Sequence, residues 1–159
     1  MTSLAEHLSN ISKGSSIKSF CTIKEKEEKN PIDFKTDQYY PYNENFTMDE
    51  LLSALSSCSN TAPGEDMITF EMLKYLHPNI LKYLLKLYRK IWTEIYFPQA
   101  WQKALDLPSL KPDKDPFDLN SYRPIALTSC LCKLFEMMIN NRLTWYLEKT
   151  GYFSALVSI

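Results

Sequence analysis

Three basic side chains flank a single connection. Lys111 and Lys114 lie in Lys111-Pro-Asp-Lys-Asp-Pro116, and Arg123 lies in Ser121-Tyr-Arg-Pro-Ile125. Mobile ammonium groups plus a guanidinium that can fork onto two oxygens are what a triphosphate needs. On a protruding hairpin they could close over a nucleotide and release its charge as pyrophosphate leaves. A plainer reading competes with this one. Asp113, Asp115 and Asp118 interleave with the lysines, and local ion pairs would solvate an ordinary loop. Taken alone, the residues favour the plainer reading.

Other chemistry-bearing residues are sparse. Asp66 ends the turn Ala62-Pro-Gly-Glu-Asp66, where proline presets one dihedral, glycine allows a positive one, and the aspartate can bond nearby amides. It has no carboxylate partner at a useful spacing, so acid–base catalysis is not expected. Cys21, Cys58, Cys130 and Cys132 form no CxxC pair, and His7 and His77 are the only histidines. A structural zinc site is therefore not expected. Cys130 and Cys132 fall two apart on a predicted helix and point to different faces. Reduced thiols in an intracellular protein are the plain reading.

The 159 residues are 45% apolar and 13% aromatic, enough to bury a core and unlike a disordered chain. Residues 1–70 hold 6 Lys/Arg against 11 Asp/Glu, a balance of −5; residues 71–159 hold 12 against 8, a balance of +4. A basic second half leaves room for a phosphate-binding surface there, against the alternative of ordinary solvated charge. No apolar run approaches the ~18 residues of a membrane span, and residues 1–14 lack a signal-peptide pattern.

Residues 1–45 predict an irregular lead-in with one short helix near Ser3–Ile11; Lys24-Glu-Lys-Glu-Glu-Lys29 and the prolines at 31 and 41 break any period. Order is expected from Phe46. Thr47 and Glu50 form a capping box, Phe46 and Leu51 a hydrophobic staple, and Leu51, Leu52 and Leu55 an amphipathic helix to about Ser57. A helix over 69–76 carries Phe70, Leu73 and Leu76. Pro78 opens another, running to about Tyr96 with Pro98 as its stop. Its broad stripe is Ile80, Leu81, Leu84, Leu85, Leu87, Tyr88, Ile91, Trp92 and Ile95. Lys82, Lys86, Arg89 and Lys90 form a basic rim, and the aromatics read as core in preference to base-stacking platforms. Residues 104–110 and 122–127 predict two strands of a projecting hairpin, with Pro108 and Pro124 demanding edge positions. A long helix over 129–150 follows, capped by Thr128 or Ser129, with Leu131, Leu134, Phe135, Met138, Ile139, Leu143, Tyr146 and Leu147 on one face and Gly151 at its C-terminal cap.

Several of these segments, in order, resemble a known family. Asn60-Thr-Ala-Pro-Gly-Glu-Asp-Met-Ile68, Phe97-Pro-Gln-Ala-Trp101, Leu110-Lys-Pro-Asp-Lys-Asp-Pro116, Ser121-Tyr-Arg-Pro-Ile-Ala-Leu-Thr-Ser129, Lys133-Leu-Phe-Glu136 and Asn141-Arg-Leu143 look like the reverse transcriptase of non-long-terminal-repeat retrotransposons, in particular its jockey-like branch. The resemblance covers roughly 46–154 and implies an α+β, mostly helical part of a right-hand polymerase: the fingers region, helices plus a projecting β-hairpin, with the palm strands absent. It implies a lead-in over 1–45, the partial reverse transcriptase domain over 46–154 and a divergent tail over 155–159.

Carried over by position, Lys111 and Arg123 would bind the incoming nucleotide's triphosphate, while Asp66, Lys114, Tyr122 and Pro124 would contact template or nucleotide. The partners implied are an RNA template, a DNA primer and a deoxynucleoside triphosphate. The cofactor of the intact family enzyme is Mg2+. The departures matter equally. After Ser154 the family continues with Gln-x-Gly-Phe-Arg, where this chain reads Ala-Leu-Val-Ser-Ile159, and no aspartate follows Asp118. Two-metal phosphoryl transfer needs carboxylates to hold its ions. The expectations are therefore a polymerase fragment with no catalytic residue and no bound metal, inactive alone, with a nucleic-acid-binding remnant or a decayed gene product as alternatives. It is expected in cytoplasm or nucleus, away from membranes, and prone to self-association through apolar helix faces left without a palm. Asp106-Leu-Pro108, where the family usually carries an apolar strand, predicts a hairpin that is frayed or mutationally decayed.

Overall fold

Helix α1 (Met48–Ser57) starts where its cap predicts. The Thr47 hydroxyl accepts the Glu50 N–H at 3.2 Å, and the Glu50 carboxylate accepts the Thr47 N–H at 2.6 Å. Phe46 and Leu51 are both completely buried, as a staple requires. Leu52 corrects the expected apolar face, being 45% exposed; Leu51 and Leu55 are buried as expected, and Ala54 joins them in place of Leu52. At 100° per residue, positions 51, 54, 55 and 58 share a face and 52 swings away from it.

The computed structural model describes residues 40–151 together with Leu4, Glu6 and Lys29. Those three are helical; the rest of the predicted helix near Ser3–Ile11, of the 24–29 charge cluster and of the 155–159 tail lies outside the described residues. Of the described residues, 40–105 and 126–151 form one compact unit, and 106–125 with Leu4, Glu6 and Lys29 belong to a second. The first unit thus takes in residues ahead of Phe46, including a 3-10 turn at Pro41–Asn43.

Helix α2 (Phe70–Lys74) is shorter than expected. The Thr69 hydroxyl caps it by accepting the Met72 N–H, and Leu76 lies half-buried beyond its end. Helix α3 (Pro78–Glu94) has proline in its first turn, where the missing N–H costs nothing. It stops before Tyr96 because Ile95 turns left-handed, φ 51°, so Pro98 is not its terminator. Its buried face is Leu81, Leu84, Leu85, Tyr88 and Ile91. Ile80, Leu87 and Ile95, expected in the stripe, are exposed. One contact surface covers only the residues recurring at three and four, and the flanking apolar positions remain outside it.

Aromatic rings fill the centre of this unit. Tyr88 is fully buried, 5.2 Å from the Phe135 ring and 6.1 Å from Trp101, while Phe46 meets Trp92 at 5.3 Å. The Tyr88 hydroxyl donates to the Leu131 carbonyl at 2.9 Å, so the ring carries no unsatisfied polar atom. Burial drives its pKa up. Tyr88 and the half-buried Trp92 are core residues, as the sequence predicts.

Helix α4 (Cys130–Lys149) begins at Ser129, whose hydroxyl accepts the Leu131 N–H at 3.2 Å. It ends with Gly151 at φ 75°, its N–H donating to the Glu148 carbonyl at 3.1 Å. Cys130 and Cys132 do occupy different faces, yet both are buried, because the first turns of α4 are covered on both sides. Leu143, expected on the apolar face, is 51% exposed.

Burial raises the thiol pKa values of Cys58 and Cys132, the latter to about 12 with further help from the Glu136 carboxylate that accepts its S–H. Only the thiolate is nucleophilic, so iodoacetamide at pH 8 is expected to alkylate Cys132 roughly a hundredfold more slowly in the native protein than in urea. Site-resolved mass spectrometry reads this, and equal rates in both states would refute the buried placement.

Strands β1 (Leu105–Leu110) and β2 (Tyr122–Leu127) form a two-stranded antiparallel ribbon. The Lys111 N–H donates to the Ser121 carbonyl at 2.8 Å, which sets those two residues opposite each other. Counting back in that register, Leu110 faces Tyr122, Pro108 faces Pro124 and Leu105 faces Leu127, in agreement with the strand ends. Bonded rungs alternate with unbonded ones, and the two prolines share an unbonded rung. There an N–H would point out of the ribbon, so neither proline removes a ladder bond. Strand β1 therefore runs unbroken through Asp106-Leu-Pro108, where fraying was expected. No helix among the described residues is long and apolar enough to cross a membrane.

Candidate functional site

The ribbon's register decides which tip residues can act together. In an antiparallel pair, opposed side chains share a face, and so do alternate residues along each strand. Lys111, Ser109, Ser121 and Arg123 consequently lie on one face. Lys111 and Arg123 stand in the diagonal relation that separates residues by about 7–8 Å and their Cβ atoms by somewhat less. That spacing lets two long cationic side chains reach one phosphate group. Lys111 is half-buried and gives one ammonium hydrogen to the Asn120 carbonyl at 2.8 Å, leaving two for a ligand. Arg123 and Lys114 are exposed, and neither has a hydrogen-bond or ion-pair partner among the described residues.

The connection between the strands is a built turn. Asp115 Oδ1 accepts the Phe117 N–H at 2.9 Å, and Asp118 Oδ1 accepts both the Asn120 N–H and its side-chain amide, at 2.9 and 3.0 Å. The Tyr122 hydroxyl donates to the Pro116 carbonyl at 3.1 Å. Asp113 adopts φ 56°, the left-handed conformation that aspartate tolerates in turns. The plainer sequence reading had Asp115 and Asp118 paired with the lysines, but they bond turn amides instead. Among the described residues, Lys114 and Arg123 are thus left without a carboxylate partner. Tyr122 braces the turn through its hydroxyl, and Pro124 sits half-buried on the unbonded rung.

Asp66 lies in the other unit and has a local task. Its Oδ1 accepts the Ile68 N–H at 3.2 Å, and its Oδ2 accepts the Ser129 hydroxyl proton at 2.5 Å. Ser129 in turn caps α4, so the carboxylate sits by the N-terminus of a twenty-residue helix, where its charge is favoured. The Lys133 ammonium reaches the Ala62 carbonyl at 3.2 Å, and that of Lys74 reaches the Cys58 carbonyl at 2.6 Å. Gly64, expected to supply a positive φ, has none; Met67 takes it at φ 57°. Gly64 is needed for space, since a Cβ there would meet Ser129 N at 2.7 Å.

Sequence reasoning missed Arg142. Its guanidinium bonds both Glu50 oxygens, at 2.5 and 2.8 Å, and the carbonyls of Tyr42, Glu44 and Asn45, while its Cζ lies 4.1 Å from the Phe46 ring centre. An arginine among apolar helix positions in Asn141-Arg-Leu143 was the available signal, although its acceptors lie about ninety-five residues upstream. A neighbouring groove of ≈ 480 Å³, lined by Tyr42, Asp49, Met138 and Trp145 among others, contains none of the predicted site residues. Among the described residues no cluster of three or more His, Cys, Asp or Glu could hold a metal ion.

No family model matches the chain. Curated relatives do. The chain is 38% identical over 94 residues to the RNA-directed DNA polymerase from mobile element jockey of Drosophila funebris, covering 59% of this chain and 10% of that protein. It is 37% identical over 97 residues to the probable RNA-directed DNA polymerase from transposon BS of Drosophila melanogaster, covering 60% and 11%. It is 35% identical over 105 residues to the retrovirus-related Pol polyprotein from type-1 retrotransposable element R1 of Bradysia coprophila, covering 65% and 10%. The chain spans about a tenth of the length of these relatives. Its resemblance to the reverse transcriptases of non-long-terminal-repeat retrotransposons is thereby borne out.

Proposed function

We propose that this chain is a fingers portion of an RNA-directed DNA polymerase from a mobile element, a partial right-hand fold whose hairpin grips the incoming nucleotide. The observation that carries the reading is the shared ribbon face of Lys111 and Arg123, in a chain whose relatives are named as such polymerases. Lys111 and Arg123 bind the triphosphate: the guanidinium forks onto two oxygens and the ammonium adds a point charge. Lys114 extends this cationic edge, Tyr122 and Pro124 hold the strand that presents Arg123, and Asp66 orders the loop ahead of α4 on the template side. The partners are an RNA template, a DNA primer and a deoxynucleoside triphosphate.

The chemistry itself belongs elsewhere. Magnesium would serve the intact enzyme, but among the described residues no cluster of three or more His, Cys, Asp or Glu offers it a site, and the sequence has no aspartate after Asp118. The chain alone is therefore a binding module without polymerase activity. Exposed apolar residues such as Ile80, Tyr83 and Leu87 on α3 would favour self-association of the isolated chain.

Binding of an RNA–DNA duplex, followed by fluorescence anisotropy across a salt series, tests the reading. Affinity should fall steeply with salt, and Arg123→Ala should lower the log–log slope by about 1, the loss of one phosphate contact. A slope unchanged by Arg123→Ala and by Lys111→Ala would overturn the grip. Primer extension by the purified chain on a primed RNA template with magnesium would overturn the inactive assignment.

A further inference from the structure

Phe117 is 94% exposed, on the connection between the two strands. An aromatic side chain so placed leaves its full apolar surface in water. Chain mobility does not account for it, because the backbone around it is tied down. Its own N–H is held by Asp115, the Asp118 N–H bonds the Asp115 carbonyl at 3.3 Å, and the Tyr122 hydroxyl bonds the carbonyl of the preceding Pro116. Prolines at 112 and 116 restrict the approach further. The turn holds one ring outward, close in sequence to Lys114, which has no partner among the described residues, and on the same connection as Lys111 and Arg123. The carboxylates of Asp115 and Asp118 are turned into backbone amides.

We propose that Phe117 is a stacking platform for an unpaired base of a single-stranded nucleic acid whose phosphates the neighbouring cations attract. The proposal rests on the binding function proposed above and adds a non-ionic contact to it. An aromatic face accepts any base, and the cations beside it supply charge complementarity to the phosphates. Paired bases inside a duplex are already stacked and offer no free face, so the ligand class is single-stranded RNA or DNA, or the unpaired overhang of a primed template.

The test uses the full chain and two probes: a single-stranded uridine 20-mer, and a blunt RNA–DNA duplex of equal length. Phe117→Ala should weaken binding of the single strand about tenfold, leave the blunt duplex within twofold, and leave the salt slope unchanged. Phe117→Trp should retain affinity, whereas Phe117→Leu, apolar but without a π face, should behave like alanine. A 2-aminopurine in the strand should change fluorescence on binding the parent protein and not the alanine variant. The ring's exposure predicts unchanged circular dichroism in all three variants.

If Phe117→Ala binds like the parent while Arg123→Ala still flattens the salt slope, the stacking role is wrong and the phosphate grip stands. If Arg123→Ala and Lys111→Ala leave the slope untouched, the underlying reading fails. If leucine restores full affinity, or alanine abolishes only a concentration-dependent association seen in sedimentation, Phe117 is a protein contact and the proposal is overturned.

Discussion

Arg142→Ala is expected to lower the stability of the chain by roughly 3 kcal/mol, about 10 °C in melting temperature for a protein of this size. The Arg142 side chain is 13% exposed, and its guanidinium satisfies acceptors from two directions: the Glu50 carboxylate in the first turn of α1 and three backbone carbonyls at 42, 44 and 45. Removing it leaves a half-covered carboxylate and several carbonyls without their donor, which costs more than the lost pair itself. The 31% exposure of Glu50 keeps the effect below that of a fully buried pair. Arg142→Lys should recover less than half of the loss, because a single ammonium cannot replace a planar fork with several acceptors.

A pH signature accompanies this variant. Burial alone would raise the Glu50 pKa, but hydrogen bonds from Arg142 and Thr47 outweigh it and hold the carboxyl below its ordinary 4.5. A depressed folded-state pKa means stability that is fully present above 4.5 and lost as pH falls through the folded value. The gap between parent and Arg142→Ala should therefore be widest at pH 7 and should narrow, without closing, at about pH 3, because the carbonyl acceptors at 42, 44 and 45 do not titrate. Urea titrations at the two pH values measure this. An alanine variant as stable as the parent at pH 7 would show that Arg142 holds nothing together.

Gly64→Ala should destabilise by about 2–3 kcal/mol, although replacing a glycine whose φ is not positive more often stabilises by about 0.4–1 kcal/mol. The sign reverses because the new methyl would lie 2.7 Å from Ser129 N and 2.8 Å from the Thr128 carbonyl carbon, both backbone atoms that cannot rotate away. The loop must lift from the start of α4, which separates Asp66 from Ser129. Ser129→Ala, which only removes the cap and its bond to Asp66, should cost about 1 kcal/mol. Denaturant melts compare the two, and amide exchange at Leu131 should accelerate in both variants. A neutral Gly64→Ala would mean that the loop packs less closely against residues 128 and 129.

Where each feature's cause lies separates what could be read from residues from what could not. The capping box at Thr47 and Glu50, proline in the first turn of α3, the Ser129 cap and Gly151 all depend on atoms within three or four residues. Local sequence therefore determines them, and all appear in the structure. The family resemblance was legible too, from motifs in a fixed order. Errors gathered where a neighbour distant in sequence decides. Leu52, Ile80, Leu87 and Leu143 have the right residue type for burial, but the packing of α1, α3 and α4 covers a narrower face than the apolar pattern allows. Gly64 was read as a turn residue because its spatial neighbours at 128 and 129 are invisible from its own segment.

For the site, the sequence alone supplied the cations at 111, 114 and 123 and left them ambiguous between a ligand and the adjacent aspartates. Tertiary structure resolved part of that. The register set Lys111 and Arg123 on one face, and the turn amides bonded Asp115 and Asp118. Arg142 and Phe117 were decided only in three dimensions: the first by five acceptors at residues 42–50, the second by the absence of any covering surface among the described residues. Chemistry within one turn of chain is written in residue order. Contact between segments ninety residues apart, or the lack of it, exists only once the chain has packed.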